Sequence, residues 1–109
     1  MADTFKTLAQ VDPLAATLTD GYTVPAVTSA VISSIVICNR SATDTSFRIS
    51  VALAGAANDN KQYLYYDLTI PGNDTFVATV GVTLATTDVV RVYATLATLS
   101  FNIFGMEIT

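Results

Sequence analysis

Hydrophobic and polar positions alternate with a period of two along most of this chain. Phe47, Ile49, Val51 and Leu53 alternate with Ser46, Arg48, Ser50 and Ala52, the pattern of a strand with one buried face. Phe76, Ala78, Val80, Val82 and Leu84 alternate in the same way with Val77, Thr79, Gly81 and Thr83. Thr and Val fill these runs, and their branched side chains suit a pleated surface better than a helix. The pattern predicts strands over 4–9, 14–19, 29–39, 45–53, 62–69, 74–84, 88–95 and 99–108. No segment sustains a helical period; Leu14-Ala15-Ala16 is followed by Thr17, Thr19 and Asp20-Gly21, which favour a short strand and a tight turn. Pro71-Gly72 suits the centre of a type II turn, with Gly72 in the left-handed conformation. Thr86-Thr87-Asp88 and Ala97-Thr98 read as short connections, and Gly55 to Asn60 as the longest loop.

About eight strands at this spacing predict an all-β fold: a single-domain antiparallel β-sandwich or jelly roll. Two strands are apolar on both faces. Over 29–39, Val31, Ile35 and Ile37 fall on one side and Ile32 and Val36 on the other. Over 99–108, Phe101 and Ile103 oppose Phe104, Met106 and Ile108. Such a strand is central between layers or central to an interface. Residues 1–12, ahead of Pro13, read as an N-terminal arm or edge strand, and 13–109 as the sandwich domain. As an arm, the first segment would offer Phe5 and Leu8 as anchors on a neighbouring subunit.

Composition sharpens this picture. The 109 residues suit one domain, and 51% are hydrophobic, high for a small chain that must cover its own core. That excess predicts self-association or docking on a larger body. Only 13% of residues are charged, against about 25% in a typical protein. The net charge is −4, and Lys6, Arg40, Arg48, Lys61 and Arg91 are scattered, so no basic stripe exists to hold nucleic acid. The first ten residues carry no signal-peptide pattern, and no apolar run reaches the length of a membrane helix.

Candidate chemistry is sparse. There is no His and no Trp, and the single Cys38 has no cysteine partner and no imidazole base. Within an apolar strand it reads as a buried structural thiol. Asn58-Asp59-Asn60 lacks the repeated carboxylates of a calcium loop and reads as a solvated turn. Asn39-Arg40-Ser41 and Asn73-Asp74-Thr75 match the glycosylation pattern by chance in a chain read without a secretory signal. Arg48 and Arg91, mid-strand on the polar phase, are placed to pair with acidic neighbours. Strict alternation puts Tyr63 and Tyr65 on one face, with Leu64, Tyr66 and Leu68 on the core side. Tyr63 and Tyr65 are then candidates for cross-strand packing, a protein interface or a glycan platform. No catalytic, metal or cofactor residues are read, and the chain is expected not to be an enzyme.

The stretches Tyr22-Thr23-Val24-Pro25, TSAVISSIVICN (28–39), FRISV (47–51), KQYLYYD (61–67), NDTFV (73–77), TLATTDVVRVY (83–93) and SFNIFG (100–105) together resemble small all-β virion structural proteins of tailed bacteriophages and related prophages. The resemblance spans most of the chain from Tyr22 onward and carries no catalytic motif. It implies a part of a virion assembled in the host cytoplasm. The leading expectation is a capsid decoration or cement protein, working as a homo-oligomer with a trimer favoured and contacting partners such as the major capsid protein. Collar, tail or fibre-base components are the alternative, and a glycan-binding adhesion module is a third reading.

Overall fold

The computed structural model describes residues 2–109 as a sandwich of two antiparallel sheets. The strands are β1 (Asp3–Val11), β2 (Thr19–Thr23), β3 (Ser29–Asn39), β4 (Thr45–Ala52), β5 (Tyr63–Ile70), β6 (Thr75–Ala78), β7 (Val82–Leu84), β8 (Val89–Ala94) and β9 (Leu99–Ile108). The first sheet has the order β1-β9-β3-β6, with β7 also on β3; the second is β2-β8-β4-β5. Counting β6 and β7 as halves of one interrupted strand, this order is that of an eight-stranded jelly roll. The expected β-sandwich is therefore the fold.

Four local expectations are corrected. The segment 14–19 is not a strand: Ala15 makes a single parallel bridge to Ala94, Ala16 has φ 50°, and β2 starts only at Thr19. Asp20-Gly21 lies inside β2 rather than in a turn, because Gly21 is bulged opposite β8 where the Val90 carbonyl approaches closely. Beyond Pro71-Gly72 the left-handed residue is Asn73 (φ 55°), not Gly72. Gly72 is small for another reason: a side chain there would fall on the Ala42 backbone. The single strand expected over 74–84 is broken into β6 and β7. The break lies opposite Ser33, where β3 itself is bulged between Ile32 and Ser34.

The core lies between the sheets. Ile32, Ile35, Ile37, Phe101 and Ile103 of the first sheet meet Phe47, Ile49, Val90 and Val92 of the second. Each large side chain buried this way contributes roughly 1.5–3 kcal/mol. Phe47 is the centre of an aromatic group, with ring centroids 5.6 Å from Phe76 and 6.1 Å from both Tyr65 and Phe101.

One end of the sandwich is tied by Asn39, which is buried although polar. Its Nδ2 donates to the Thr43 carbonyl (2.8 Å) and the Pro71 carbonyl (3.2 Å). Its Oδ1 accepts from the Ser41 amide (3.1 Å) and the Thr98 hydroxyl (3.2 Å). Three inter-sheet connections are thus fixed by one amide, and a glycan cannot be attached there. At the other end Asp88, also buried, accepts from the Ala54 and Ala85 amides, both at 2.9 Å.

Asn39→Ala leaves several buried groups unpartnered and is expected to cost about 2–4 kcal/mol, read from urea denaturation. Gly105→Ala places a methyl group against the Val31 carbonyl where β9 and β3 approach most closely. It is expected to cost about 1–3 kcal/mol in the same assay.

Candidate functional site

The two outer faces of the sandwich differ in chemistry, and this contrast defines the candidate site. Directly paired residues point to the same side of a sheet, so the register assigns each face. On the first sheet, β1, β9, β3 and β7 align Phe5, Met106, Val31 and Thr83 in one outer row. The next outer row holds Thr7, Phe104 and Ser34. Then follow Gln10, Asn102, Val36 and Val77, and finally Ser100, Cys38 and Thr75. At the opposite margin Ile108 stands between Asp3 and Ser29. Asp3, at the corner, is the only charged side chain in these rows. Phe5 is 82% exposed and Val77 51%. Val31, Val36, Phe104 and Met106 are half-buried by their neighbours alone. Cys38 is likewise half-buried on this outer face rather than sealed in the core, a correction to its sequence reading.

The bulges decide this face. Ser33 takes an extra position in β3, so Ile32 and Ile35 both turn inward and leave Val31 and Val36 outside. Strict alternation put Ile32 with Val36 and missed the reversal. For β9 the expected division holds: Phe101 and Ile103 are buried, while Phe104, Met106 and Ile108 face out.

The outer face of the second sheet is polar, and its arginines are paired within the chain. The Arg48 guanidinium lies between the rings of Tyr66 (4.2 Å) and Tyr93 (4.3 Å). Its Nε donates to Asp67 Oδ1 at 2.6 Å and its Nη2 to Oδ2 at 3.3 Å. That hydrogen bond holds Arg48 still more firmly protonated than usual. Tyr63 stands edge-on to Tyr66 at 4.9 Å. Arg91 donates to Asp20 (3.0 Å) and to the Ala56 and Gly55 carbonyls. Both arginines are therefore paired within the chain.

This arrangement revises the tyrosine reading. Tyr65 packs inward against the core with Leu68, whereas Tyr63 and Tyr66 share the outer face. Two register shifts in the β4–β5 pair, with Asp67 at φ 52°, place extra residues in β5 and break the period of two. Tyr66, 58% exposed, borders an open depression with Tyr63 and Asn60. Asn58 donates to the Tyr63 hydroxyl at 3.1 Å, and Asp59 leads into a 3₁₀ turn over Asn60–Gln62. Tyr93 was readable as the phase-mate of Arg91; its pairing across strands with Arg48 was not.

The expected anchors of the N-terminal segment also have definite places. Residues 3–11 form an edge strand on the chain's own β9. Phe5 faces outward from it, while Leu8, at a bulge between Thr7 and Ala9, rests against the core. Lys6 points inward to Glu107 (3.1 Å), which also accepts from the Tyr22 hydroxyl at 2.6 Å. The Tyr22 hydrogen bond, with help from Lys6, holds Glu107 below the usual carboxylate range against the opposing effect of burial. Burial first, and then Glu107, raise Tyr22 well above an ordinary phenol.

Among the described residues no group of three or more His, Cys, Asp or Glu could hold a metal ion. No protein-family model and no curated protein sequence matches this chain.

The sandwich-end triad gives stability a defined pH dependence. A depressed Glu107 stabilises the fold above its ordinary pKa of about 4.5 and loses that contribution as pH falls through its folded value. A raised Tyr22 stabilises up to its ordinary 10.0 and loses its contribution above it, as the unfolded chain ionises first. Denaturation midpoints against pH are expected to show the native chain's advantage over Glu107→Gln narrowing on the acid side. Its advantage over Tyr22→Phe should narrow on the alkaline side. An advantage unchanged across either limb removes that residue from the triad's account.

Proposed function

We propose that this chain is a non-enzymatic virion structural protein of a tailed phage, acting as a capsid decoration or cement protein. The observation that carries the reading is the uncharged, apolar-rich outer face of the first sheet. A chain with few charges and an acidic net balance presents there a broad surface whose apolar side chains water solvates poorly. The jelly-roll order supports the reading at the level of analogy, since this architecture serves in viral shells and in lectins alike. The resemblance carried by residues 22–105 points the same way. Mechanistically, such a part strengthens a shell by burying apolar surface between neighbours in many repeated copies. A position at the collar, tail or fibre base would use the same surface in far fewer copies.

Copy number separates the two locations. Quantitative proteomics of purified particles is expected to find hundreds of copies per virion, with rebinding to stripped shells; a handful of copies would sink the cement reading.

A second reading rests on Tyr66 and Tyr63 beside Asn60, an exposed aromatic edge with an amide near it, suited to stacking against a sugar ring. Glycan-array binding by the native chain that is lost in the Tyr63→Ala, Tyr66→Ala double variant would support it. No binding by the native chain retires it.

A further inference from the structure

We propose that the outer face of the first sheet seats a second copy of this chain in a two-fold, face-to-face pair. This rests on reading that face as the assembly surface, and it names the occupant. Four observations favour a second copy.

The first is charge. A protein of net −4 repels its own copies wherever acidic groups meet. Phe5, Val31, Val36, Val77, Phe104 and Met106 lie in rows without a charged side chain, so two copies can meet there with no like charges opposed.

The second is area. Strands about 4.8 Å apart and rising about 3.3 Å per residue give a four-strand, ten-residue face of about 600 Å². A pair would bury about 1,200 Å², the lower bound of a specific interface.

The third is the state of the edges. Lateral strand addition is the usual alternative, and every edge here is blunted. β1 is bulged at Leu8 and turns Lys6 inward; β2 is bulged at Gly21; β5 carries two register shifts; and β6 and β7 are short and interrupted. Association is thereby directed from the edges to the face.

The fourth is shape. Phe5, Phe104 and Met106 make one half of the face bulky and apolar, while the other half carries the smaller Val36, Val77, Cys38 and Ser100 beside the Gln10–Asn102 pair, hydrogen-bonded at 2.8 Å. A two-fold axis lying in the contact plane and running across the strands sets the bulky half of each copy over the other half of its mate. Aligned sheets pack in this manner about 10 Å apart.

Sedimentation equilibrium of the full chain is the test. The expected mass is twice the 11.5 kDa chain. Val36→Glu and Met106→Glu each bury a charge without a partner against the opposite half of the mate's face and are expected to weaken pairing at least about 100-fold. Tyr66→Ala, on the opposite face, should leave the pair intact. Circular dichroism confirms that each variant is folded. A second measurement needs no variant: Cys38 lies within the face, so its reaction with a thiol reagent should slow as protein concentration rises through the dissociation constant. A native chain that sediments as a single copy or as three copies, face variants that still pair, or a Cys38 rate independent of concentration overturns the proposal. Pairing is measured on the purified chain and copy number on the particle. A genuine pair present in few copies would therefore refute the cement role while leaving this inference standing, and a monomer present in hundreds of copies would do the reverse.

Discussion

The structure depends on one strand and on the single residue by which it departs from regularity. β3 pairs with β9 along its length and with β6 and β7 on its other side, so it holds the first sheet together. The bulge at Ser33 resets its phase midway. Without that reset, Ala30 and Ile32 would face opposite to Ile35 and Ile37, and half of the strand's core contribution would point to solvent. The bulge keeps all four inside and consigns Val31 and Val36 to the outer surface. It also accounts for the gap between β6 and β7, because the strand they pair with has an unpaired residue there.

How much of this was legible in the sequence follows from the same constraint. Period-two alternation locates a strand but assumes an unbroken phase. It worked for β4 through Val51, which packs on the core side with Phe47 and Ile49, and for β9 where the two faces divide at Phe104. It failed wherever the partner strand forced an extra residue: at Ser33, at Gly21 and twice in β5. A bulge is a property of a pair of strands, and one strand's residues do not announce it. Tyr63 and Tyr65 were thus assigned to one face when the register sets them on opposite faces. The loss of a strand at 14–19 has a related cause, since neither its Ala nor its Thr residues find a continuous partner beyond the bridge to Ala94.

Polar residues were harder still to place. Asn39 stood in the sequence only as a chance match to a glycosylation pattern; in the fold it is a buried amide joining three connections. An Asn closing a β-strand gives no local sign of the carbonyls that will converge on it from Thr43 and Pro71. Likewise Glu107 lies in an apolar strand with no nearby basic residue, and its partners Lys6 and Tyr22 come from the far end of the chain. What composition did convey was the excess of apolar residues over what one core can hold: part of it lies in the outer rows of the first sheet, with Phe5 and Val77 exposed there, and part on connections, at Leu14, Val27, Leu53 and Leu96.

The distribution of charge completes the argument for a face rather than an edge or a pocket. Three of the five basic residues are consumed in ion pairs within the chain: Lys6 with Glu107, Arg48 with Asp67, and Arg91 with Asp20. Asp88 is buried and holds two backbone amides. Of the acidic residues that remain, Asp12, Asp44, Asp59 and Asp74 sit exposed on the connections at the rim of the sandwich, and Asp3 at a corner of the first sheet. End-to-end stacking of two copies would oppose like charges at close range across this rim. The broad surface of the first sheet carries one charged side chain, Asp3, and that at its corner. Of the ion-paired groups Glu107 alone ties one sheet to the other, through the Tyr22 hydroxyl, while Arg48–Asp67 and Arg91–Asp20 each join strands of the second sheet.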